Sequence, residues 1–185
     1  MRENIYLSLK ELEAGLDEIL RAPKDGGSLE LIVRRPGPGL REAVEKGELS
    51  PEQGLDGDGW KARGSSRTPD RAADPETQLT IMSSRVVSLL AGSRDRWQLA
   101  GDQLFLDLDL SAGNLPPGTR LSVGQAVIEV TAPPHTGCKK FSEWFGPDAV
   151  KFINSAEGKK LRLRGLHAKV VKAGSIAAGN MVRKL

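Results

Sequence analysis

Apolar residues recur at helical spacing near the start of the chain, over residues 6–21. Those on one face of the predicted helix are Leu9, Leu12, Leu16, Ile19 and Leu20. Ser8 and Glu11 have the spacing of a capping box, in which each side chain accepts a backbone N–H that the first turn leaves unpaired. The pattern predicts an amphipathic helix that ends before Pro23 and forms a helical appendage over residues 1–28.

Beyond residue 28 the pattern changes to short runs that are typical of strands. These runs are residues 29–34, 78–82, 104–110, 119–123, 126–131, 161–163, 168–171 and 181–185. In the run 104–110, four leucines alternate with Phe105, Asp107 and Asp109, so the leucines share one face. Gly124-Gln125 joins two of the runs and is a hairpin signal. Many short strands and a few short helices predict a mainly β fold, a β-barrel over residues 29–185.

Four segments between these runs differ from the strand pattern. Residues 40–47 have the pattern of a short helix, and Ser83 or Ser84 begins another that ends near Gly92. Residues 141–155 form a third predicted helix, in which Pro147 suits a first-turn position after a break at Gly146. Residues 50–75 are rich in Gly, Pro, Asp and Ser and are predicted to be irregular. A loop of this length in a compact domain is usually functional or disordered.

Cys138 is the only cysteine, and it follows the stiff run Pro133-Pro134-His135-Thr136-Gly137. A predicted helix N-terminus and two lysines come next, and both favour the thiolate over the thiol. A thiolate attacks electrophiles, carries a persulfide sulfur or binds a soft metal. We therefore predict Cys138 as a catalytic residue and metal ligand. The alternative is that a lone cysteine is a small buried hydrophobe.

His135 is the second catalytic candidate, as a base or a further ligand, because it lies three residues before Cys138. A structural zinc site is not expected, since the chain has one cysteine and two histidines. The sequence also lacks the glycine-rich phosphate loop, the serine nucleophile elbow and the metalloprotease helix motif.

Arg162 and Arg164 alternate at the predicted strand 161–163, so we expect them to share a face. The planar guanidinium suits a phosphate, and with Lys139 these arginines are the predicted cofactor-binding residues. We expect Arg164 to face the same pocket as Cys138, because the glycine after it allows close approach of a ligand or another backbone. The alternative is that Arg164 pairs with an acid on the barrel wall, for which Asp109 is a candidate.

Charge is unevenly distributed along the 185 residues. Residues 139–185 hold eleven Lys and Arg against three Asp and Glu, whereas residues 1–138 hold 16 against 21. A basic segment attracts an anion, either a nucleic acid or a phosphate-bearing small molecule; alternatively it is a solvated lysine-rich face. Aromatic residues make up only 4% of the chain, which leaves few stacking platforms and makes nucleic acid an improbable partner.

The cysteine content and the N-terminal residues favour a cytoplasmic location. A single cysteine excludes an intramolecular disulfide, and Met1-Arg2-Glu3-Asn4 does not begin a signal peptide. No run approaches the roughly 20 apolar residues of a membrane span, so no membrane association is expected.

Several segments, read in order, resemble the MOSC domain family (the molybdenum-cofactor sulfurase C-terminal domain), in its stand-alone bacterial form. The resemblance covers roughly residues 29–185 and is most specific from residue 101 onward. Its upstream segments are Gly54-Leu55-Asp56-Gly57-Asp58 and Gln78-Leu79-Thr80. Its central segments are Gly101-Asp102-Gln103-Leu104, Asn114-Leu115-Pro116-Pro117-Gly118, residues 121–131 and the Cys138 loop. Its closing segments are residues 163–171, Gly174-Ser175-Ile176 and Gly179-Asn180-Met181-Val182.

The resemblance implies a β-rich barrel and a cysteine, here Cys138, that carries sulfur or meets the molybdenum of the molybdopterin cofactor. It implies sulfur transfer or molybdenum-cofactor-dependent catalysis if the protein is an enzyme. Larger relatives attach a pyridoxal-phosphate desulfurase module, for which this chain is too short, so pyridoxal phosphate is expected only on a partner. The implied partners are a cysteine desulfurase, or another sulfur donor, and a phosphate-bearing pterin. The alternative is a non-catalytic module whose basic C-terminal third binds nucleic acid or a protein.

Overall fold

The computed structural model of the protein describes residues 6–185. Residues 1–5 lie outside this range, and with them the beginning of the predicted appendage and the residues inspected for a signal peptide. The helices are α1 (Leu9–Ala14), α2 (Leu16–Leu20), α3 (Trp60–Arg63), α4 (Ser84–Ala91), α5 (Lys139–Phe145), α6 (Pro147–Asn154) and α7 (Ala156–Lys160). Within residues 6–185, none of the helices is long and apolar enough to cross a membrane.

The strands are short, as the sequence predicts. They are β1 (Gly27–Arg34), β2 (Glu42–Val44), β3 (Lys46–Ser50), β4 (Gly54–Leu55), β5 (Leu79–Ser83), β6 (Leu104–Asp107), β7 (Arg120–Val123), β8 (Ala126–Val130), β9 (Leu166–Lys172), β10 (Gly174–Ala177) and β11 (Met181–Lys184). A single 3-10 turn, Pro75–Thr77, and a longer 3-10 segment, Arg94–Ala100, complete the regular structure of residues 6–185.

Seven strands close into a mixed barrel, which confirms the predicted fold. Around the barrel the order is β1, β11, β7, β8, β9, β5 and β6, and β6 pairs with β1 again. The β5–β6 pair is parallel and the other pairs are antiparallel. The hairpin predicted at Gly124-Gln125 joins β7 to β8. β2 extends the sheet beside β1, and β10, β3 and β4 form a separate small sheet.

The apolar residues form two layers, one inside the barrel and one between the barrel and the helices. The four leucines of the run 104–110 all lie in the inner layer, as their alternation predicts. Phe105 on the opposite face is also buried, because it packs under the helices with its ring centroid 6.2 Å from that of Trp97. The barrel wall is therefore covered by helices on this side.

The N-terminal segment forms two helices, α1 and α2, with a break at Gly15. Ser8 and Glu11 make the predicted capping box, with both reciprocal bonds present. A Cβ atom at Gly15 would lie 2.6 Å from Leu89 Cδ1, so a larger residue at the break would displace this side chain of α4. Leu12 and Ile19 belong to the outer apolar layer, and the two helices thus pack directly on the barrel domain.

Two element predictions are wrong. Residues 40–47 form parts of β2 and β3 instead of a helix, because Gly47 and Leu49 alternate with exposed residues and pair with β10. Residues 161–163 form a turn after α7 instead of a strand, and Arg162 has a left-handed φ of 50°. The stretch 50–75, predicted to be irregular, contains β4 and α3.

The first prediction concerns Gly165, where β9 approaches β5. Its φ is +107°, and a Cβ atom there would overlap the backbone oxygen of Ile81. We expect Gly165→Ala to lower the free energy of unfolding by roughly 3–4 kcal/mol. The alanine would adopt a strained positive φ, and the backbone of Ile81 would also have to move away from its Cβ atom. Gly179→Ala is the matched control, since φ is +89° but nothing lies within 4 Å of its Cβ position. It should cost only about 1 kcal/mol. Equal losses in urea unfolding of the two variants would contradict the steric explanation.

Candidate functional site

The Cys138 thiol is exposed at the end of a loop whose backbone is held in place. Cys138 is the residue before α5, in an extended conformation. Gly137 donates its N–H to Asn154 Oδ1 at 3.0 Å and accepts from Asn154 Nδ2 at 3.3 Å, which ties the loop to α6. The alternative of a buried, inert cysteine is therefore wrong: the thiol is accessible to a reactant on a restrained turn.

Asp102 connects the Cys138 loop to the barrel. Its side chain is fully buried between Arg164 and His135. Arg164 NH1 donates to Asp102 Oδ2 at 2.6 Å, and His135 Nε2 lies 2.9 Å from Asp102 Oδ1. Arg164 NH2 donates to the carbonyl of Ala100, and the guanidinium lies 4.8 Å from the ring centroid of Phe141. One carboxylate thus holds two residues that the sequence singles out.

The acid that pairs with Arg164 is Asp102, and the suggestion of Asp109 is wrong. Asp109 lies past the end of β6, and its carboxylate accepts the backbone N–H of Ser111. The Arg164 side chain is 8% exposed, and its NH1 and NH2 are both engaged. Its role as a phosphate ligand stays a prediction, and the ion pair with Asp102 competes with it.

The protonation states of this cluster follow from burial and charge. Burial alone would raise the pKa of Asp102, but Arg164 and His135 outweigh it and lower this pKa to about 2. Burial and the charge of Arg164 lower the pKa of His135. A neutral imidazole beside an ionised carboxylate carries its proton on the facing nitrogen, which is Nε2. The Nδ1 atom of His135 is then a hydrogen-bond acceptor.

His167 on β9 stacks beside His135, with 4.7 Å between ring centroids. Its Nδ1 lies 3.0 Å from the carbonyl oxygen of Pro133, which only accepts, so Nδ1 carries the proton. Burial is the main cause that lowers the pKa of His167 to about 4. At neutral pH its Nε2 is therefore an unprotonated acceptor, and the imidazole helps to hold the Cys138 loop against β9.

Beside this loop lies a cavity of about 570 Å³, which we call the arginine cleft. Four cations line it, namely Arg35, Arg41, Arg63 and Lys140, and no carboxylate of residues 6–185 does. Arg35 is engaged structurally, since Nε and NH2 bind the two oxygens of Asp58 at 3.0 and 3.1 Å. The turn Pro36–Gly39 forms the facing wall.

Arg41 and Arg63 have no counter-ion of their own within residues 6–185. Burial and the charge of Arg35 lower the pKa of both guanidinium groups. Arg41 Nε is buried and lacks a hydrogen-bond partner among the described residues. Cations held this close together without an acid favour an anionic ligand, which would relieve their repulsion and accept the unpaired donor.

Three of the five predicted site residues line one cavity, and none of the five lines the arginine cleft. His135, Arg162 and Arg164 line a neighbouring cavity of about 370 Å³, where Arg162 NH1 donates to the Leu115 carbonyl at 2.5 Å. Lys139 is exposed in the first turn of α5. In the sequence, Cys138 lies between Thr136, which lines this cavity, and Lys140, which lines the arginine cleft.

Sequence reasoning missed the three arginines of the arginine cleft. Arg35 precedes the turn Pro36-Gly37-Pro38-Gly39, a signal that a rigid wall forms there. Nothing in the sequence shows that this wall meets Arg63 and Lys140, since these residues are far apart in the chain.

Comparison with known proteins identifies a family and several structures of the same fold. The family model described as MOSC domain matches residues 71–183, more than half of the chain. The YuaD protein of Bacillus subtilis has a TM-score of 0.60 at 17% identity, covering 84% of this chain and 93% of that one. No curated protein matches the sequence significantly.

Two YiiM structures have the same fold. YiiM of Escherichia coli has a TM-score of 0.53 at 18% identity, covering 85% of this chain and 69% of that one. YiiM of Geobacillus stearothermophilus has a TM-score of 0.59 at 15% identity, with coverages of 86% and 75%. At these identities the likeness shows the fold and says nothing of the site.

The second prediction concerns pH and His167. The unfolded chain protonates this residue near the ordinary pKa of 6.5, whereas the folded protein does so only near about 4. The contribution of His167 to the free energy of unfolding is complete above pH 6.5 and is lost as the pH falls from 6.5 towards about 4. We expect the free energy of unfolding, from urea titrations, to drop by about 1–2 kcal/mol between about pH 7.5 and about pH 5.

His167→Asn is the informative variant, because its amide N–H replaces the Nδ1–H bond to Pro133 and does not titrate. The drop should shrink by about 1–2 kcal/mol in this variant. An unchanged drop would mean that other groups, such as His135, carry the dependence.

Proposed function

Because the chain belongs to the MOSC domain family, we propose that it binds the phosphate-bearing pterin of the molybdenum cofactor in the arginine cleft. We further propose that Cys138 is the sulfur acceptor or the molybdenum ligand. The observation that carries this proposal is an exposed thiol on a restrained loop, two residues before Lys140 of a cleft that four cations line and no carboxylate of residues 6–185 lines.

The residues of the cleft fit a phosphate group. Arg41 and Arg63 offer planar, permanently charged forks, and Lys140 adds a mobile point charge. The buried Arg41 Nε without a partner is a donor that a phosphate oxygen would satisfy. Arg35 would act indirectly, because its guanidinium is held by Asp58 and is not free to bind the phosphate. Its positive charge would still attract the phosphate into the cleft.

A metal brought by the pterin would have few ligands from this chain. Among residues 6–185, no group of three or more His, Cys, Asp or Glu side chains is arranged to hold a metal ion. Cys138 would supply one soft thiolate ligand, and the pterin would supply the rest of the coordination. When bound, the cofactor would supply two-electron redox chemistry at the metal.

For sulfur transfer, the chemistry of Cys138 needs only a donor persulfide. The Cys138 thiolate attacks the outer sulfur of the donor, a new S–S bond forms on Cys138, and the donor S–S bond breaks. The electron pair of the broken bond leaves on the donor cysteine as thiolate, so no external oxidant or reductant is consumed. The neutral His135, three residues away in the sequence, is the candidate base for the thiol proton.

The sulfur would come from a cysteine desulfurase or a related persulfide donor. Pyridoxal phosphate would then reside on that partner, where it activates free cysteine. The exposed position of Cys138 supports such an exchange, because the donor persulfide must approach with its S–S bond in line with the attacking Cys138 thiolate.

The third prediction tests the thiol. After incubation with a cysteine desulfurase and cysteine, we expect intact-mass analysis to show an adduct of one sulfur atom, about 32 Da, that dithiothreitol removes. Cys138→Ser should show none, and since Cys138 is the only cysteine the comparison has no background. An equal adduct on the Ser variant, or none on the native protein, would exclude the carrier function.

The fourth prediction tests the cleft. Protein purified from its native host should contain molybdenum and pterin, and Arg41→Ala should retain at least about tenfold less of both after gel filtration, as for loss of a charge-assisted bond. Arg21→Ala is the matched control, because the Arg21 side chain, directly after α2, is 73% exposed and, within residues 6–185, binds only Glu18. Equal metal and pterin contents in the two variants would refute binding in the arginine cleft.

A further inference from the structure

A second cavity, of about 280 Å³, is joined to the arginine cleft through Arg35 and Arg63, which line both. We call it the strap lobe, because the first four residues of the segment 64–72, the strap, line it. Its other polar lining residues include Ser65, Ser66, Arg67 and His167. In the part of the chain that the structure describes, no carboxylate lines the strap lobe or the cleft.

The strap is folded by its own hydrogen bonds. Ser65 donates its N–H to the Arg71 carbonyl at 3.3 Å, and Thr68 donates its hydroxyl to the Ala72 carbonyl at 2.6 Å. Gly64 lies so close to the Arg71 carbonyl that a side chain there would overlap it. Part of the stretch that the sequence predicts to be irregular therefore has a definite shape, which fixes Ser65 and Arg67 at the lobe.

The charge of the lobe is unbalanced. Arg67 is exposed, and its side chain forms no ion pair within residues 6–185. Arg63 likewise lacks a partner, and burial with the charge of Arg35 lowers its pKa. Arg35 is already bound by both oxygens of Asp58. Two arginines and two serine hydroxyls are thus available to an oxyanion.

His167 adds a hydrogen-bond acceptor to the strap lobe, which a site for a simple anion would not need. Its Nδ1–H is taken by Pro133, so Nε2 is a fixed acceptor. This Nε2 has no hydrogen-bond partner among the described residues. Because His167 Nε2 is an acceptor in a lobe of arginine and serine donors, the lobe favours a ligand that has a hydrogen-bond donor of its own. A ligand oxygen without a hydrogen would instead be repelled by the lone pair of the imidazole.

We propose that the strap lobe is the substrate site, and that it takes a small molecule carrying an oxyanion and a neighbouring hydrogen-bond donor. Arg67 and the hydroxyls of Ser65 and Ser66 bind the oxyanion, and His167 Nε2 accepts the donor. Arg63 lines both cavities, so its charge attracts this ligand and the cofactor phosphate alike. The proposal rests on the proposed function in one respect, since the arginine cleft would hold the cofactor while the strap lobe presents the substrate beside it. The volume, about 280 Å³, suits a compact molecule.

Inorganic phosphate and sulfate are the probes that separate these features. Near neutral pH every phosphate species carries an O–H donor, whereas sulfate carries none. In calorimetric titrations of the protein we expect two phosphate sites, one in each cavity. Arg67→Ala should weaken one of them at least about tenfold, Arg41→Ala the other, and Arg21→Ala neither. Arg67 is exposed, so its replacement should leave the fold intact, which circular dichroism checks.

Sulfate should bind to the Arg67-dependent site at least about tenfold more weakly than phosphate. His167→Asn, which keeps the bond to Pro133 but lacks Nε2, should remove that discrimination. If His167→Asn still binds phosphate but no longer distinguishes it from sulfate, His167 has a role in recognition. General destabilisation of the protein would weaken the binding of both anions.

The outcomes separate this proposal from the proposed function. If Arg67→Ala leaves both phosphate sites unchanged, or if one site is lost in Arg41→Ala and Arg67→Ala alike, the strap lobe is not a separate anion site and the proposal fails. If the Arg67-dependent site is found and discriminates against sulfate, it stands. It would stand even when native protein contains no pterin, a result that would overturn the cofactor function alone.

Discussion

The arrangement of the site depends on the buried carboxylate of Asp102. It binds Arg164 at 2.6 Å and His135 at 2.9 Å, and so connects the barrel rim at β9 with the loop that carries Cys138. Removing one partner of such a group leaves a buried charge without compensation, which typically costs about 3–5 kcal/mol. The ion pair therefore acts as a fixed point: it keeps the carboxylate ionised, sets the tautomer of His135 and limits where the loop can lie.

A second buried acid does the same for the opposite wall. Asp58 binds Arg35 through both oxygens and accepts a bond from Gln103 Nε2 at 3.1 Å. Gln103 follows Asp102 directly, and its Oε1 accepts the backbone N–H of Thr80 at 2.7 Å. Two adjacent residues thus anchor both sides of the site. Asp58 and Asp102 also attract the cleft arginines from a distance, but among residues 6–185 neither forms an ion pair with Arg41 or Arg63. Since burial and the charge of Arg35 outweigh this attraction and lower the pKa of both arginines, the cleft keeps an excess of positive charge.

The sequence predicts the barrel well because alternation and hairpin signals are local. The leucines of residues 104–110, the turn at Gly124 and the break at Gly146 each have the predicted consequence. The strand predicted over residues 161–163 is wrong, because an arginine between two leucines has the alternation of a strand although it forms a turn. The ion pair of Arg164 and the meeting of Arg41 with Lys140 join residues far apart in the chain. Such contacts depend on the order of strands around the barrel, which no local pattern encodes.

The closing pair of the barrel has a consequence for synthesis in the cell. Gly27 and Ser28 of β1 pair with Val182 and Met181 of β11, so contacts that complete the barrel span more than 150 residues. Until the ribosome has made β11, the first residues of β1 and the whole free edge of β7 lack their partner. Nascent chains of this protein thus expose open sheet edges for most of their translation, and such edges recruit other strands. Chaperone contact during translation would therefore matter more for this barrel than its modest length suggests.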